Sequence, residues 1–143
     1  MKVRDIMTAR VVAVPLTATV TEVACKMRQE RVGSVLVVDD AGALVGIATD
    51  RQITHTVVAD GEDPNEVTAR EVMFTEFVPL DPEMDLLQAV RLQRELGMRR
   101  LPVIEDGKPI GIVSVSDFAS FTKELIDCVL VEGEVRVLRR GRR

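Results

Sequence analysis

The residues with the most chemistry to offer stand together in Gly111-Ile112-Val113-Ser114-Val115-Ser116-Asp117-Phe118, where an apolar run delivers a hydroxyl and, three residues on, a carboxylate. The run has the pattern of a short buried strand, and Ser114 that of the N-cap of a following helix. Free backbone N–H groups at a helix start favour an anion such as phosphate. The pattern has an echo in Gly46-Ile47-Ala48-Thr49-Asp50-Arg51-Gln52-Ile53, which suggests two related ligand clefts. The same spacing also fits a capping box, in which Ser114-x-x-Asp117 and Thr49-x-x-Gln52 merely satisfy orphan N–H groups. For either copy alone the two readings weigh equally.

Other reactive groups are sparse. Cys25 and Cys128 lie in helical patterns without metal-ligand spacing, and His55, the single histidine, sits in Thr54-His55-Thr56 with no partner for base catalysis. No nucleophile–base pair and no phosphate-cradling glycine loop is present, which argues against an enzyme. At 143 residues, 46% hydrophobic and 29% charged, the chain suits one ordinary domain or two small halves sharing a core. Residues 136–143 hold five arginines and no acid, leaving 14 basic against 23 acidic groups in residues 1–135. An acidic body without Trp or Tyr makes a broad nucleic-acid surface a poor expectation. Met1 to Arg10 is too polar for a secretory signal and no apolar run reaches membrane-span length, so the expected location is cytoplasmic.

The elements that must position the two corners come in duplicate. Val3-Arg4-Asp5-Ile6-Met7 recurs as Ala69-Arg70-Glu71-Val72-Met73, an offset of 66 that falls to 65 after the turns Asp40-Ala41-Gly42 and Asp106-Gly107. Val11-Val12-Ala13-Val14 and Phe77-Val78-Pro79-Leu80 predict a first strand in each half. Helices follow, with Thr19 and Glu22 as a capping box in the first, Asp85 and Gln88 in the second, and apolar stripes Val20, Val23, Ala24, Met27 and Leu86, Ala89, Val90. Val35–Asp39 and Leu101–Glu105 read as buried strands, and helices are expected from Thr49 to about Val58 and from Ser114 to about Leu130. Each half is thus strand, helix, strand, strand, helix, an α/β (α+β) arrangement too small to bury its own sheet face. Two halves about a pseudo-twofold axis would solve that, with the strand-to-helix corners facing a central cleft.

On Arg4-Asp5-Ile6-Met7-Thr8, Gly46 to Ile53, Arg99-Arg100-Leu101-Pro102-Val103-Ile104 and Gly111 to Phe118, duplicated and in this order, residues 1 to 125 resemble a tandem pair of cystathionine-beta-synthase (CBS) domains, a Bateman module. The resemblance implies repeat 1 over 1–62, repeat 2 over 63–125, and a helix end with a basic tail over 126–143. It implies a non-catalytic regulatory module that binds an adenosyl ligand between the repeats: AMP, ADP or ATP, less readily S-adenosylmethionine or NAD. No cofactor or metal is implied.

Carried over by position, Asp117 matches the family carboxylate that accepts from the ribose hydroxyls, and Ser114 the hydroxyl beside ribose and phosphate, with Ser116 assisting. Thr8, Val11 and Val12 would line the base, and Arg99 would meet a phosphate. The first repeat departs from the pattern: Gln52 stands where the aspartate would be, so the cleft of Thr49, Gln52 and Val78 is expected to be weaker. The competing expectation is a constitutive protein-interaction scaffold with vestigial clefts. The resemblance also implies a homodimer, through helix faces such as Leu92 and Leu96 or Leu125 and Val129, and a regulated partner protein that the sequence does not identify. The tail from Arg136 to Arg143 is expected to add little to folding.

Overall fold

In the computed structural model, which describes the backbone of residues 1–140 and the side chains of residues 1–131, the two halves form two small sheets flanked by helices. After a 3-10 turn at Val3–Asp5, strand β1 (Ala13–Pro15) leads into helix α1 (Val20–Glu30). Strand β2 (Ser34–Val38) then lies parallel to β1, and β3 (Leu44–Thr49) returns antiparallel to β2. Helix α2 (Asp50–Gln52) widens into a π-helical turn over Ile53–Val58. The second half has α3 (Ala69–Val72), α4 (Leu86–Leu96), the antiparallel pair β4 (Arg100–Glu105) and β5 (Lys108–Ser114), and α5 (Val115–Arg140).

Local chemistry accounts for the element ends. Thr19 caps α1 by accepting from the Glu22 N–H at 3.2 Å, while the Glu22 carboxylate accepts from the Thr19 N–H at 2.7 Å. Helices α1 and α4 both stop on a left-handed residue, Arg31 (φ 56°) and Gly97 (φ 63°), and these are equivalent positions of the repeat. Asp106 and Gly107, both with positive φ, close the β4–β5 hairpin in two residues, and a β-bulge follows at the same place in both hairpins. The Thr54 and Thr56 hydroxyls donate to the carbonyls of Asp50 and Gln52, four residues back, within the β-branched run that forms the wide turn.

Several expectations are corrected. Phe77–Leu80 is not a strand: Leu80 alone bridges Val103, through the Leu80 N–H to Pro102 O and the Ile104 N–H to Leu80 O. Pro79 has no N–H to give a ladder, so pairing stops there. Asp85 caps α4 through the Leu87 N–H at 3.0 Å, without a reciprocal bond from Gln88, and the buried stripe of α4 is Leu86, Ala89 and Gln93, with Val90 exposed. Of the stripe expected in α1, Val20, Val23 and Met27 are buried and Ala24 is exposed. Helix α5 also runs past Leu130; of the basic tail, residues 141–143 and the side chains of 136–140 lie outside the described residues.

The cores are shared between the halves. Val3, Ile6 and Met7 pack with Leu80, Leu101, Val103 and Val113, whereas Val67, Ala69 and Val72 pack with Val12, Val20, Val35 and Val37. The exchanged segments are held by backbone bonds: Thr8 trades both of its hydrogen bonds with Ile112, and Phe74 trades both with Ile47. Two glycines permit these crossings. A Cβ on Gly111 would lie 2.7 Å from the Thr8 carbonyl oxygen, and one on Gly46 would overlap the Met73 side chain.

Candidate functional site

Both strand-to-helix corners are capping boxes, and their geometry differs in one respect. At the second corner the Asp117 N–H donates to Ser114 Oγ at 3.3 Å, and Asp117 Oδ2 accepts from both the N–H and the hydroxyl of Ser114 at 2.6 Å. Asp117 Oδ1 is left facing Thr8, whose hydroxyl reaches it only at 3.5 Å. At the first corner the Gln52 N–H donates to Thr49 Oγ1, and the single amide oxygen of Gln52 accepts both Thr49 donors at 3.2 Å. A carboxylate has a second oxygen to offer a ligand after capping the helix; an amide does not.

Asp117 lines a cavity of about 260 Å³ together with Thr8, Val12, Ser114, Ile112 and Ser34, rimmed by Arg10, Arg31 and Arg100. Thr49 lines a second, of about 240 Å³, walled by Leu36, Ile47, Phe74, Met98, Pro102 and Ile112 and rimmed by Arg99 and Arg100. Between the corners an open cleft of about 610 Å³ runs from Thr49, Asp50 and Arg51 to Ser114, Val115 and Ser116, again beside Arg99 and Arg100. Arg10 is paired with Glu30, while Arg31, Arg51, Arg99 and Arg100 have no ion pair among the described residues. Uncompensated guanidinium groups around a concave, partly apolar surface suit an anionic ligand.

Of the residues expected at the nucleotide site, the structure brings Asp117, Ser114, Thr8 and Val12 into one cavity. Ser116 lies in the adjoining open cleft, its hydroxyl 2.8 Å from that of Ser114. Val11 is half-buried outside the cavity wall. Arg99 belongs to the Thr49 cavity and the open cleft, and its neighbour Arg100 supplies the guanidinium at Asp117. Both arginines border the Thr49 cavity and the open cleft, and of the two only Arg100 also reaches the Asp117 cavity, which a sequence position alone does not resolve. Val78 is exposed and does not line the Thr49 cavity, because the Phe77–Leu80 segment joins the sheet only at Leu80; Phe74 takes that wall instead. Phe74 is the offset-66 equivalent of Thr8, so the repeat itself held the signal. The arginines at 10, 31 and 100 come from three separate segments, with no common motif to mark them.

Two interlocked repeats, each with a strand-to-helix corner opening on a shared cleft, define a paired-repeat module. The CBS domain family matches residues 3–59 and 69–124, and the chain belongs to that family as a tandem pair. It is similar to the uncharacterized protein MK0525 of Methanopyrus kandleri (38% identity over 111 residues, 77% of this chain and 57% of the relative), so it spans little more than half the length of that protein. It is also similar to the CBS domain-containing protein YhcV of Bacillus subtilis, with 38% identity over 117 residues and 82% of each chain. Among solved structures, the hexameric CBS-CP12 protein from bloom-forming cyanobacteria superposes with a TM-score of 0.75 at 28% identity, covering 99% of this chain and 83% of that one.

Proposed function

We propose that the chain is a non-catalytic regulatory module that binds one adenosyl ligand, AMP, ADP or ATP before S-adenosylmethionine or NAD, in the Asp117 cavity, and thereby modulates a partner protein in the cytoplasm. The observation that carries this reading is the division of labour in Asp117: Oδ2 caps α5 through Ser114 and Oδ1 stays open to accept from a ribose hydroxyl. Val12 offers an apolar wall for a base, and Arg100 and Arg31 offer positive charge for phosphate. Ser116 and Arg99, in the adjoining cleft, are placed to meet a phosphate chain that extends out of the cavity. Calorimetric titration with AMP, ADP, ATP, NAD and S-adenosylmethionine tests it: the expected result is one ligand per chain. Absence of heat with all five favours the scaffold reading, which the amide at Gln52 supports for one of the two clefts.

The same module is proposed to act as a homodimer. Leu125, Ile126, Val129 and Leu130 are 49–67% exposed on α5, an apolar surface that a second copy would cover. Leu96 is also exposed, whereas Leu92 packs partly against the second core and is not part of that surface. The hexameric state of the CBS-CP12 protein lends support to self-association. Among the described residues no helix is long and apolar enough to cross a membrane.

A further inference from the structure

We propose that the Thr49 cavity is a binding site for a small aromatic carboxylate, a ligand with no sugar. The inference does not rest on the nucleotide reading of the Asp117 cavity. The two cavities are of nearly equal volume, about 240 and 260 Å³, so what separates them is the chemistry of their linings. Leu36, Ile47, Phe74, Met98, Pro102 and Ile112 give the Thr49 cavity an apolar interior, and among the described residues no carboxylate lines it. The group that a diol would need is missing: Gln52 is not in the wall, and its amide oxygen already accepts both donors of Thr49. A ribose buried there would leave its hydroxyls without acceptors, which is unfavourable in an apolar setting.

The rim has the opposite bias. Arg99 and Arg100 both border the cavity, and neither has an ion pair among the described residues. Two guanidinium groups beside an apolar chamber call for a ligand with an apolar body and an anionic head, and a carboxylate matches the guanidinium fork in a bidentate pair. Phe74 makes an aromatic body the better fit. Its backbone is held at the cavity by hydrogen bonds of 3.0 Å to Ile47 in both directions, and its ring, part of the lining, offers a planar ligand a surface to stack on or pack against edge to face. The equivalent position in the other cavity is Thr8, a hydroxyl, in keeping with a polar ligand there.

The test uses the full chain with indole-3-acetate as probe and uncharged indole-3-acetamide as its control, followed by methyl NMR shifts at Ile47 and by calorimetry. The expected result is saturable binding of the acid that perturbs Ile47, at least about tenfold tighter than the amide, the scale of one charge-assisted hydrogen bond. Arg99→Ala, at an exposed side chain whose loss leaves the cores untouched, is expected to weaken the acid by about the same factor. Asp117→Asn is expected to leave acid binding unchanged. The proposal is overturned if the acid gives no saturable shift at Ile47 up to millimolar concentration, if acid and amide bind equally, if Arg99→Ala has no effect, or if Asp117→Asn abolishes binding. The last outcome would place the probe in the other cavity.

Discussion

Thr8 and Asp117 come from opposite ends of the described chain and meet at 3.5 Å, hydroxyl to carboxylate oxygen, across the boundary between the repeats. The distance is too long for a strong hydrogen bond, so Asp117 Oδ1 keeps its capacity to accept. Its partner oxygen is committed to Ser114 at 2.6 Å. The corner is therefore both a helix cap and an open acceptor, and the two readings that the sequence left in balance are compatible.

Asp117→Asn separates the two roles, because an amide can keep the cap with its one oxygen while turning a donor towards the ligand. Loss of a charge-assisted bond to a ribose hydroxyl costs about 1.5–3 kcal/mol, a roughly tenfold to hundredfold loss of affinity. Calorimetry with the best-bound nucleotide reads this directly, and circular dichroism confirms that α5 is intact. Parent-like affinity in Asp117→Asn would remove Asp117 from the site.

Gly111→Ala probes the crossing of the repeats. A Cβ at this position meets a backbone oxygen, Thr8 O at 2.7 Å, in a segment pinned to Ile112 by hydrogen bonds in both directions, so the strain is not relieved by a rotamer change. Overpacking of this kind costs about 1–3 kcal/mol, which at roughly 2–4 °C per kcal/mol lowers the melting temperature by about 2–12 °C. Nucleotide affinity is expected to fall with it, since Thr8 lines the Asp117 cavity. An unchanged melting temperature would show that the crossing is looser than the geometry indicates.

The repeat, the hairpins and the two corners were legible in the sequence because each rests on local signals: apolar runs of strand length, turn residues, and capping pairs three residues apart. The exchange of Val3–Thr8 and Val67–Phe74 between the cores was not, because the periodicity of a segment says that it is buried and not against which half. The same limit explains Val78 and Phe74. The alignment of the repeats made Val78 the natural match for Val12, but Pro79 releases its segment from the sheet, and only the tertiary crossing at Ile47 puts Phe74 in the wall. Arg99 was the arginine expected to meet a phosphate, but the fold brings its neighbour Arg100 to the Asp117 cavity, while both border the Thr49 cavity and the open cleft.

Glu71 offers a test by pH. The Thr68 backbone N–H at 2.7 Å, and secondarily the Thr68 hydroxyl at 3.0 Å, hold its carboxyl below the ordinary glutamate value. A folded value below the unfolded one means that the stabilisation is complete above the unfolded value and is lost as pH falls through the folded one. Glu71→Gln is therefore expected to be less sensitive to acid than the parent over that range, with the larger difference between the two proteins at neutral pH. Urea midpoints measured from neutral to acid pH check this; parallel curves for parent and variant would mean that the cap at α3 contributes nothing.

The exposed apolar side chains of α5 lead to the prediction on assembly. Leu125 and Val129, and Ile126 and Leu130, are pairs one turn apart on a helix whose described side chains beyond Lys123 are all exposed, so a single chain leaves these faces in water. Fully burying one such side chain is worth about 1.5–3 kcal/mol, and a twofold axis buries every contributing residue twice. Light scattering at micromolar concentration is expected to give a particle of twice 15.8 kDa. The double variant Leu125→Glu, Val129→Glu is expected to give monomers with an unchanged far-ultraviolet spectrum, because neither side chain belongs to either core. A parent that is monomeric at that concentration would refute the dimer, and a dimer that survives both substitutions would move the interface away from α5.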